Sequence, residues 1–372
     1  MRIEIEDARL KPILEKVEAG ERLDSSDGIA LFRSHDLLAT GYIANLVRER
    51  KHGNVTYFNV NRHINPTDVC VASCKLCAFG KKAKDPKAYT WSLEEIWHRA
   101  AEGWSEAITE FHIVGGLHPE LTLEWYCEML RGLKERFPQV HLKAFTMVEI
   151  AYLARRSKIS YLETLLKLKD AGMDSLPGGG AEIFNERVRR IICDHKIDGD
   201  QWIEVARIAH QVGLRSNCTM LYGHIETEED RVDHLLRLRE LQDETGGFQT
   251  FIPLAFHPDN TPLHHVAKTT GFDDLKNIAV ARLLLDNIDH IKAYWIMMTP
   301  KIAQIAQRFG ADDLDGTVVE EKIYHDAGAT TSQSLRRGEL LRLIRDAGRE
   351  PMERDTLYRP VVRTESALTV LV

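Results

Sequence analysis

Three of the six cysteines fall within eight residues of the stretch VCVASCKLCAFG at 69–80. Cys70, Cys74 and Cys77 have the spacing C-x3-C-x2-C. Three clustered thiols cannot pair off as disulfides, and in a reducing compartment such a group points to metal binding or catalysis. A structural zinc site takes four ligands, normally as two paired knuckles. His63 is a conceivable fourth ligand, but its spacing matches no common knuckle and no second C-x-x-C is present. An iron–sulfur cluster also normally takes four cysteines. Three on a 4Fe–4S cluster leave one iron free of protein, an exchangeable position where a small molecule can coordinate. Cys127, Cys193 and Cys218 lie far apart in apolar or mixed contexts and read as small buried hydrophobes.

Such a loop needs a scaffold to hold it. From Tyr57 onward, short apolar runs alternate with amphipathic stretches such as SLEEIWHRAAEG, LTLEWYCEMLRGLKERF, TEEDRVDHLLRLRELQDET and FDDLKNIAVARLLLDNI. Strands are expected near 57–65, 108–114, 140–146, 173–176, 214–221, 248–254, 290–295 and 311–315, the fourth and eighth weakly patterned. Eight strand–helix units predict a parallel sheet closed as a (β/α)8 TIM-type barrel. The first fifty residues read as helices, with a Ser/Asp start signal at 25–27. The expected organisation is an N-terminal helical extension over 1–50, the barrel over 51–320, and a C-terminal segment over 321–372 capping the barrel. In such barrels the chemistry sits in the loops after the strands. NPTDVCVASCKLCAFG follows the first strand, GGLHPE the second, PGGGAE the fourth, YGHIETEED the fifth and AFHPDNTPLHH the sixth.

The bulk composition sets limits. With 44% hydrophobic and 28% charged residues the chain reads as a soluble globular protein. A net charge of −7 argues against a general nucleic-acid binder. No apolar run reaches the ~18 residues needed for membrane insertion. The first residues, MRIEIEDARL, are too charged for a secretory signal, so a cytoplasmic location is expected.

C-x3-C-x2-C after the first barrel strand resembles the signature of the radical S-adenosylmethionine (SAM) superfamily. The resemblance implies a 4Fe–4S cluster on Cys70, Cys74 and Cys77, with the amino and carboxylate groups of SAM on the free iron. It further implies reductive cleavage of SAM to methionine and a 5′-deoxyadenosyl radical. Leu76 stands where that family often has an aromatic residue, and Phe79 is expected near the adenine. Gly115 and Gly116 resemble the family's Gly-Gly-Glu motif, whose backbone meets the methionine amino group, with Leu117 in the acidic position. Gly223 and Glu226 match its adenine-binding Gly-x-x-Glu strand, although a helix cap at Thr227 accounts for the pattern equally well. In GGGAEIFNERVRR, Glu182 suits ribose hydroxyls and Arg189 the methionine carboxylate; both also read as solvated helix-face charges.

Longer blocks, among them RKHGNVTYFNVNRHINPTDVC, FHIVGGLHPELTLEWY, SNCTMLYGHIET and GADDLDGTVVEEKIYHDAGA, resemble the aminofutalosine synthase family of a menaquinone route. Asp68 stands where Asn is expected. Dehypoxanthine futalosine cyclases and the synthases of a deazaflavin cofactor share many blocks and remain alternatives. The resemblance implies that the adenosyl radical adds to the enolpyruvyl double bond of 3-(1-carboxyvinyloxy)benzoate. Rearrangement and loss of carbon dioxide then give 6-amino-6-deoxyfutalosine, with SAM consumed as co-substrate and no protein nucleophile. A dicarboxylate enol ether calls for cationic or donating groups, and Arg62, His63, His118, Asn217, Thr219, Tyr222, His257 and Asn260 are the candidates. Each histidine also reads as a satisfied structural imidazole. An electron donor such as flavodoxin or ferredoxin is the expected partner. An iron–sulfur electron carrier and a cluster-bearing sensor are the other classes, and only an enzyme cleaves SAM when given a reductant.

Overall fold

One apolar run beginning at Val55 splits between two sheets, β1 (Val55–Asn59) and β2 (Asn61–Ile64) in the computed structural model. The structure describes residues 3–105 and 107–363; the outer parts of the two expected terminal segments, 1–2 and 364–372, lie outside the described residues. β2 begins a seven-stranded parallel sheet that runs in chain order. It continues through β3 (Glu110–Ile113), β4 (His141–Ala144), β5 (Ser175–Leu176), β6 (Arg215–Tyr222), β7 (Phe248–Ala255) and β8 (His290–Ile291). β1 lies in a second sheet, between β9 (Asp313–Gly316) and β10 (Glu350–Glu353).

The expected TIM-type architecture is present, with one difference at its seam. The eighth strand, β9, pairs mainly with β1; towards β8 it makes an isolated Lys292–Asp313 bridge, with Asp312 N–H bonded to the Ile291 carbonyl, Ala293 N–H to the Asp313 carbonyl and Ile291 N–H to the Asp312 carboxylate. A further bridge, Arg62–Val319, ties the chain after β9 to β2. Asp315 (φ 67°) and Val318 (φ 47°) are left-handed, which interrupts the extended run and turns the strand away from a full ladder. β10 has the sequence EPME, whose proline and two glutamates give no strand signal. It is an edge strand, where a missing ladder N–H is tolerated.

Helix starts follow the strand-end loops through reciprocal caps. Thr146 and Glu149 cap Met147–Ser157, Thr227 and Asp230 cap Glu228–Thr245, and Thr270 and Asp273 cap Gly271–Leu284. The N-terminal helices Leu10–Ala19, Ser25–Arg33 and Leu37–His52 add an outer layer, the last packed on Gly271–Leu284. No helix among the described residues is long and apolar enough to cross a membrane.

The barrel floor is ionic. Lys143 on β4 pairs with Glu110 on β3 at 2.9 Å, and Thr356 donates to the same carboxylate at 2.8 Å. Burial alone raises a carboxyl pKa, yet the lysine charge holds Glu110 well below the usual range. Lys143→Met strands a buried charge and is expected to cost about 3 kcal/mol in denaturant unfolding. The pair Lys143→Met with Glu110→Gln should recover most of that loss. A single-variant cost below about 1 kcal/mol would mean that this pair does not anchor the floor.

Candidate active site

A cavity of about 430 Å³ is lined by residues from the C-terminal ends of the strands and the loops that follow them. Strand alternation decides who reaches it. On β6, Asn217, Thr219 and Leu221 line the cavity, while Cys218 and Tyr222 face the other way. His63 on β2 and His112 on β3 line it as a stacked pair, ring centroids 4.5 Å apart.

The cysteine loop is held from three sides. Asp68 is fully buried, pairs with Lys81 at 2.7 Å and accepts the Tyr89 N–H at 2.7 Å. Val71 N–H donates to Leu117 O at 3.0 Å and Lys75 N–H to Ile192 O at 2.8 Å. Cys70, Cys74 and Cys77 all line the cavity with free thiols. Their sulfurs do not all lie within 4.8 Å of one another. A single tetrahedral zinc would draw them to about 3.8 Å. Gly80 supplies the cradle: its N–H donates to Cys77 Sγ at 3.4 Å, and a Cβ there would stand 3.7 Å from Cys70 Sγ and 3.8 Å from Cys77 Sγ. Three spread sulfurs around an open face fit the corners of a cubane cluster better than one ion.

Gly115 and Gly116 buttress that loop. Gly116 N–H donates to Thr67 O at 2.9 Å, and a Cβ on Gly116 would lie 2.2 Å from Val69 O, so only glycine permits the approach. Leu117 is buried and apolar. The carboxylate at this wall is Glu149, which accepts Gly115 N–H at 3.1 Å and Thr146 N–H at 2.7 Å. Burial pushes its carboxyl up to about 7, against those hydrogen bonds and a more distant pull from Lys196. No cationic side chain among the described residues bonds to it.

Two other cavity carboxylates already have lysines. Glu182 pairs with Lys196, and Asp315 with Lys292 at 3.0 Å. Both acids sit in left-handed backbone, Glu182 at φ 49° and Asp315 at φ 67°, a strain that collects at functional sites. Among the described residues, three lining side chains end in buried polar atoms without a partner: His63 Nε2, Asn217 Oδ1 and Tyr294 Oη. Burial also pushes His63 down to about 3, so it is a neutral imidazole.

The cavity gathers Cys70, Cys74, Cys77, Phe79, Gly115, Gly116, Glu182, His63, Asn217, Thr219 and His257 from the expected set. Seven others stand away from it. Arg62 has the opposite strand parity from His63 and meets Glu320 at 3.3 Å. Tyr222 donates to Asp274 at 2.7 Å behind the sheet. Arg189 spends its guanidinium on the carbonyls of Ala181, Ile183 and Ile197. Glu226 folds back on Gly223 N–H at 2.6 Å and on Arg231, closing the Gly-x-x-Glu segment on itself. His118 Nδ1 accepts the N–H groups of Glu120 and Leu121, and Asn260 donates to Asp326 O at 2.8 Å. Glu149, Lys196, Lys292, Tyr294, Glu321 and Tyr324 line the cavity without having been expected. Glu149 carried the T-x-x-E capping box, which reads as helix rather than site, and Glu321 and Tyr324 fell within the GADDLDGTVVEEKIYHDAGA block without being singled out.

Cys193 comes near enough to Cys74 for the two thiols to act on each other electrostatically, although it does not line the cavity. At the opposite, N-terminal ends of the strands, His52, His290 and Asp312 form a compact group. Its needs are already met. His290 bonds Asp312 at 2.6 Å, His52 bonds Asp289 O at 2.7 Å, and Arg282 supplies the cation to Asp312.

Comparison with known proteins agrees with this geometry. Residues 64–238 match the model of the radical SAM superfamily, and 245–366 that of the CofH/MqnC C-terminal region. The chain is 49% identical to the aminodeoxyfutalosine synthase of Thermus thermophilus, over 96% of this chain and 97% of the relative. It is 50% identical to that of Streptomyces coelicolor, over 95% and 94%. It is also 42% identical to a 5-amino-6-(D-ribitylamino)uracil–L-tyrosine 4-hydroxyphenyl transferase of Methanoculleus marisnigri, over 94% and 97%. In fold it is similar to methylornithine synthase, with TM-score 0.73 and 18% identity over 96% of this chain and 100% of the other. The chain belongs to the radical SAM superfamily, as an enzyme that uses a 4Fe–4S cluster and SAM to form a carbon–carbon bond through an adenosyl radical.

Proposed function

We propose that the protein is an aminofutalosine synthase, joining the adenosyl group of SAM to 3-(1-carboxyvinyloxy)benzoate with loss of carbon dioxide. Identity near one half across almost the whole of two aminodeoxyfutalosine synthases carries this reading, against 42% for the tyrosine-transferring relative. Cys70, Cys74 and Cys77 would hold the cluster, which when bound supplies the electron that opens SAM. Phe79, Gly115 and Gly116 line the same end of the cavity. Glu149 is a wall carboxylate with no lysine, arginine or histidine bonded to it among the described residues, and it takes the single ammonium that SAM brings. Arg189 acts on the loop that carries Glu182 rather than on a ligand, through the carbonyls it gathers.

The substrate end is set by the unpartnered His63 Nε2 and Tyr294 Oη, each able to donate to a carboxylate, with Lys292 beside them. A buried polar atom without a partner costs about 1–3 kcal/mol, so a ligand that supplies the missing bonds recovers that energy on binding. Ile252 and Leu254 give the aromatic ring an apolar wall and keep water from the reacting carbons.

Binding titrations test the assignment. His63→Ala should weaken the enol ether about tenfold or more while SAM affinity stays near wild type. Glu149→Gln should do the reverse. Arg62→Ala should not favour either ligand, because Arg62 is paired with Glu320 outside the cavity. Equal loss of both ligands in His63→Ala would remove it from the substrate site.

A further inference from the structure

Against a net charge of −7, residues 71–90 carry Lys75, Lys81, Lys82, Lys84 and Lys87 and one acidic residue, Asp85. This basic stretch includes part of the cysteine loop. Lys81 is committed to Asp68 and Asp326, and Lys82 folds back on the carbonyls of Val71 and Ala72. Lys75, Lys84 and Lys87 are exposed, and their ammonium groups make no ion pair among the described residues. Lys75 stands in the chain between Cys74 and Cys77.

Two large apolar side chains are left open near this stretch: Val71 at 42% exposure, whose carbonyl takes the Lys82 ammonium, and Ile191 at 41%, next in the chain to the Ile192 carbonyl that takes the Lys75 N–H. The bond from Lys75 N–H to Ile192 O joins their two segments edge to edge. Cys70 and Cys77 are only half-buried behind them. An apolar centre with an unneutralised charged rim is the anatomy of a transient protein interface.

An oxidised cluster must receive one electron from outside before it can open SAM. We propose that the face formed by Val71, Ile191, Lys75, Lys84 and Lys87 docks the electron donor, an acidic one-electron carrier protein. The carrier loses one electron and the cluster gains it; no bond forms and no proton moves. An acidic carrier shares the overall sign of this chain and is repelled by most of its surface. The local lysines reverse that sign beside the cysteines and so select the orientation with the shortest electron path.

The test uses reconstituted full-length enzyme and flavodoxin as the probe. Two readouts are taken: binding of oxidised flavodoxin, and bleaching of the cluster absorbance by flavodoxin hydroquinone in stopped flow. Lys84→Glu with Lys87→Glu should lower the second-order rate about tenfold or more at low salt, with a matching loss of binding. The difference should shrink as salt is raised. Ile191→Glu should give a similar loss that persists at high salt. Iron content and the rate of reduction by dithionite should stay at wild-type values. Unchanged flavodoxin rates would overturn the proposal, as would equal slowing with dithionite. A raised KM for the substrate in dithionite-driven turnover, without a flavodoxin defect, would show that the lysines steer substrate and would overturn it too. Neither primary readout needs turnover, so the outcome is independent of the substrate assignment.

Discussion

Alanine at Cys70, Cys74 or Cys77 is expected to abolish stable 4Fe–4S incorporation, whereas alanine at Cys127, Cys193 or Cys218 should leave iron content at the wild-type level. The first three thiols line one cavity around the Gly80 cradle. The other three are buried away from it. Among the described residues Cys193 is the neighbouring thiol that a cluster left with two protein ligands could recruit, since the Ile192–Lys75 bond brings it towards Cys74. Cys193→Ala is therefore the most searching control. Iron and sulfide per chain, with the absorbance of the reconstituted protein, read the result. Full loading in Cys74→Ala, or lost loading in Cys193→Ala, would require a different ligand set.

The barrel and the cysteine loop were legible in the sequence because each has a local signature. Short apolar runs mark β6 and β7 wherever they end up in the sheet. The spacing of Cys70, Cys74 and Cys77 keeps its meaning in any loop. Side-chain direction was harder to read. Arg62 and His63 are neighbours in sequence and equally polar, yet strand parity sends one to Glu320 and the other into the cavity. The same parity separates Thr219 from Tyr222. Parity follows from register, and register is fixed by pairing that a single chain does not display.

Other residues misled because local bonds absorbed their charge. Glu226 and Arg189 have the right chemistry for a ligand, but backbone groups a few residues away claim it first. The opposite holds for Glu149. Its capping box announced a helix start, and only the approach of Gly115 from β3 turns that cap into a wall of the cavity. Tyr294 and Lys292 had no signal at all, since an unpartnered hydroxyl and a strand-end lysine become visible only after eight strand ends converge. β10 was hidden for a related reason: EPME is a poor strand that forms because the edge of β1 stands open to it.

The most direct test of the account follows the carbon of the adenosyl group. Most radical chemistry with SAM abstracts hydrogen and releases 5′-deoxyadenosine, whereas addition to the enol ether keeps the adenosyl carbon in the product. The cavity suits addition: its apolar wall of Ile252 and Leu254 lies in one lining with His63, Tyr294 and Lys292, and among the described residues no cysteine other than the loop three lines it as a hydrogen-atom source. Anaerobic enzyme is incubated with dithionite, adenosyl-labelled SAM and 3-(1-carboxyvinyloxy)benzoate, and the products are read by mass spectrometry. The expected result is label in 6-amino-6-deoxyfutalosine, one SAM consumed per product, with free 5′-deoxyadenosine a minor species. Release of 5′-deoxyadenosine in step with substrate loss, and no labelled adduct, would contradict the account and place the protein with hydrogen-abstracting relatives.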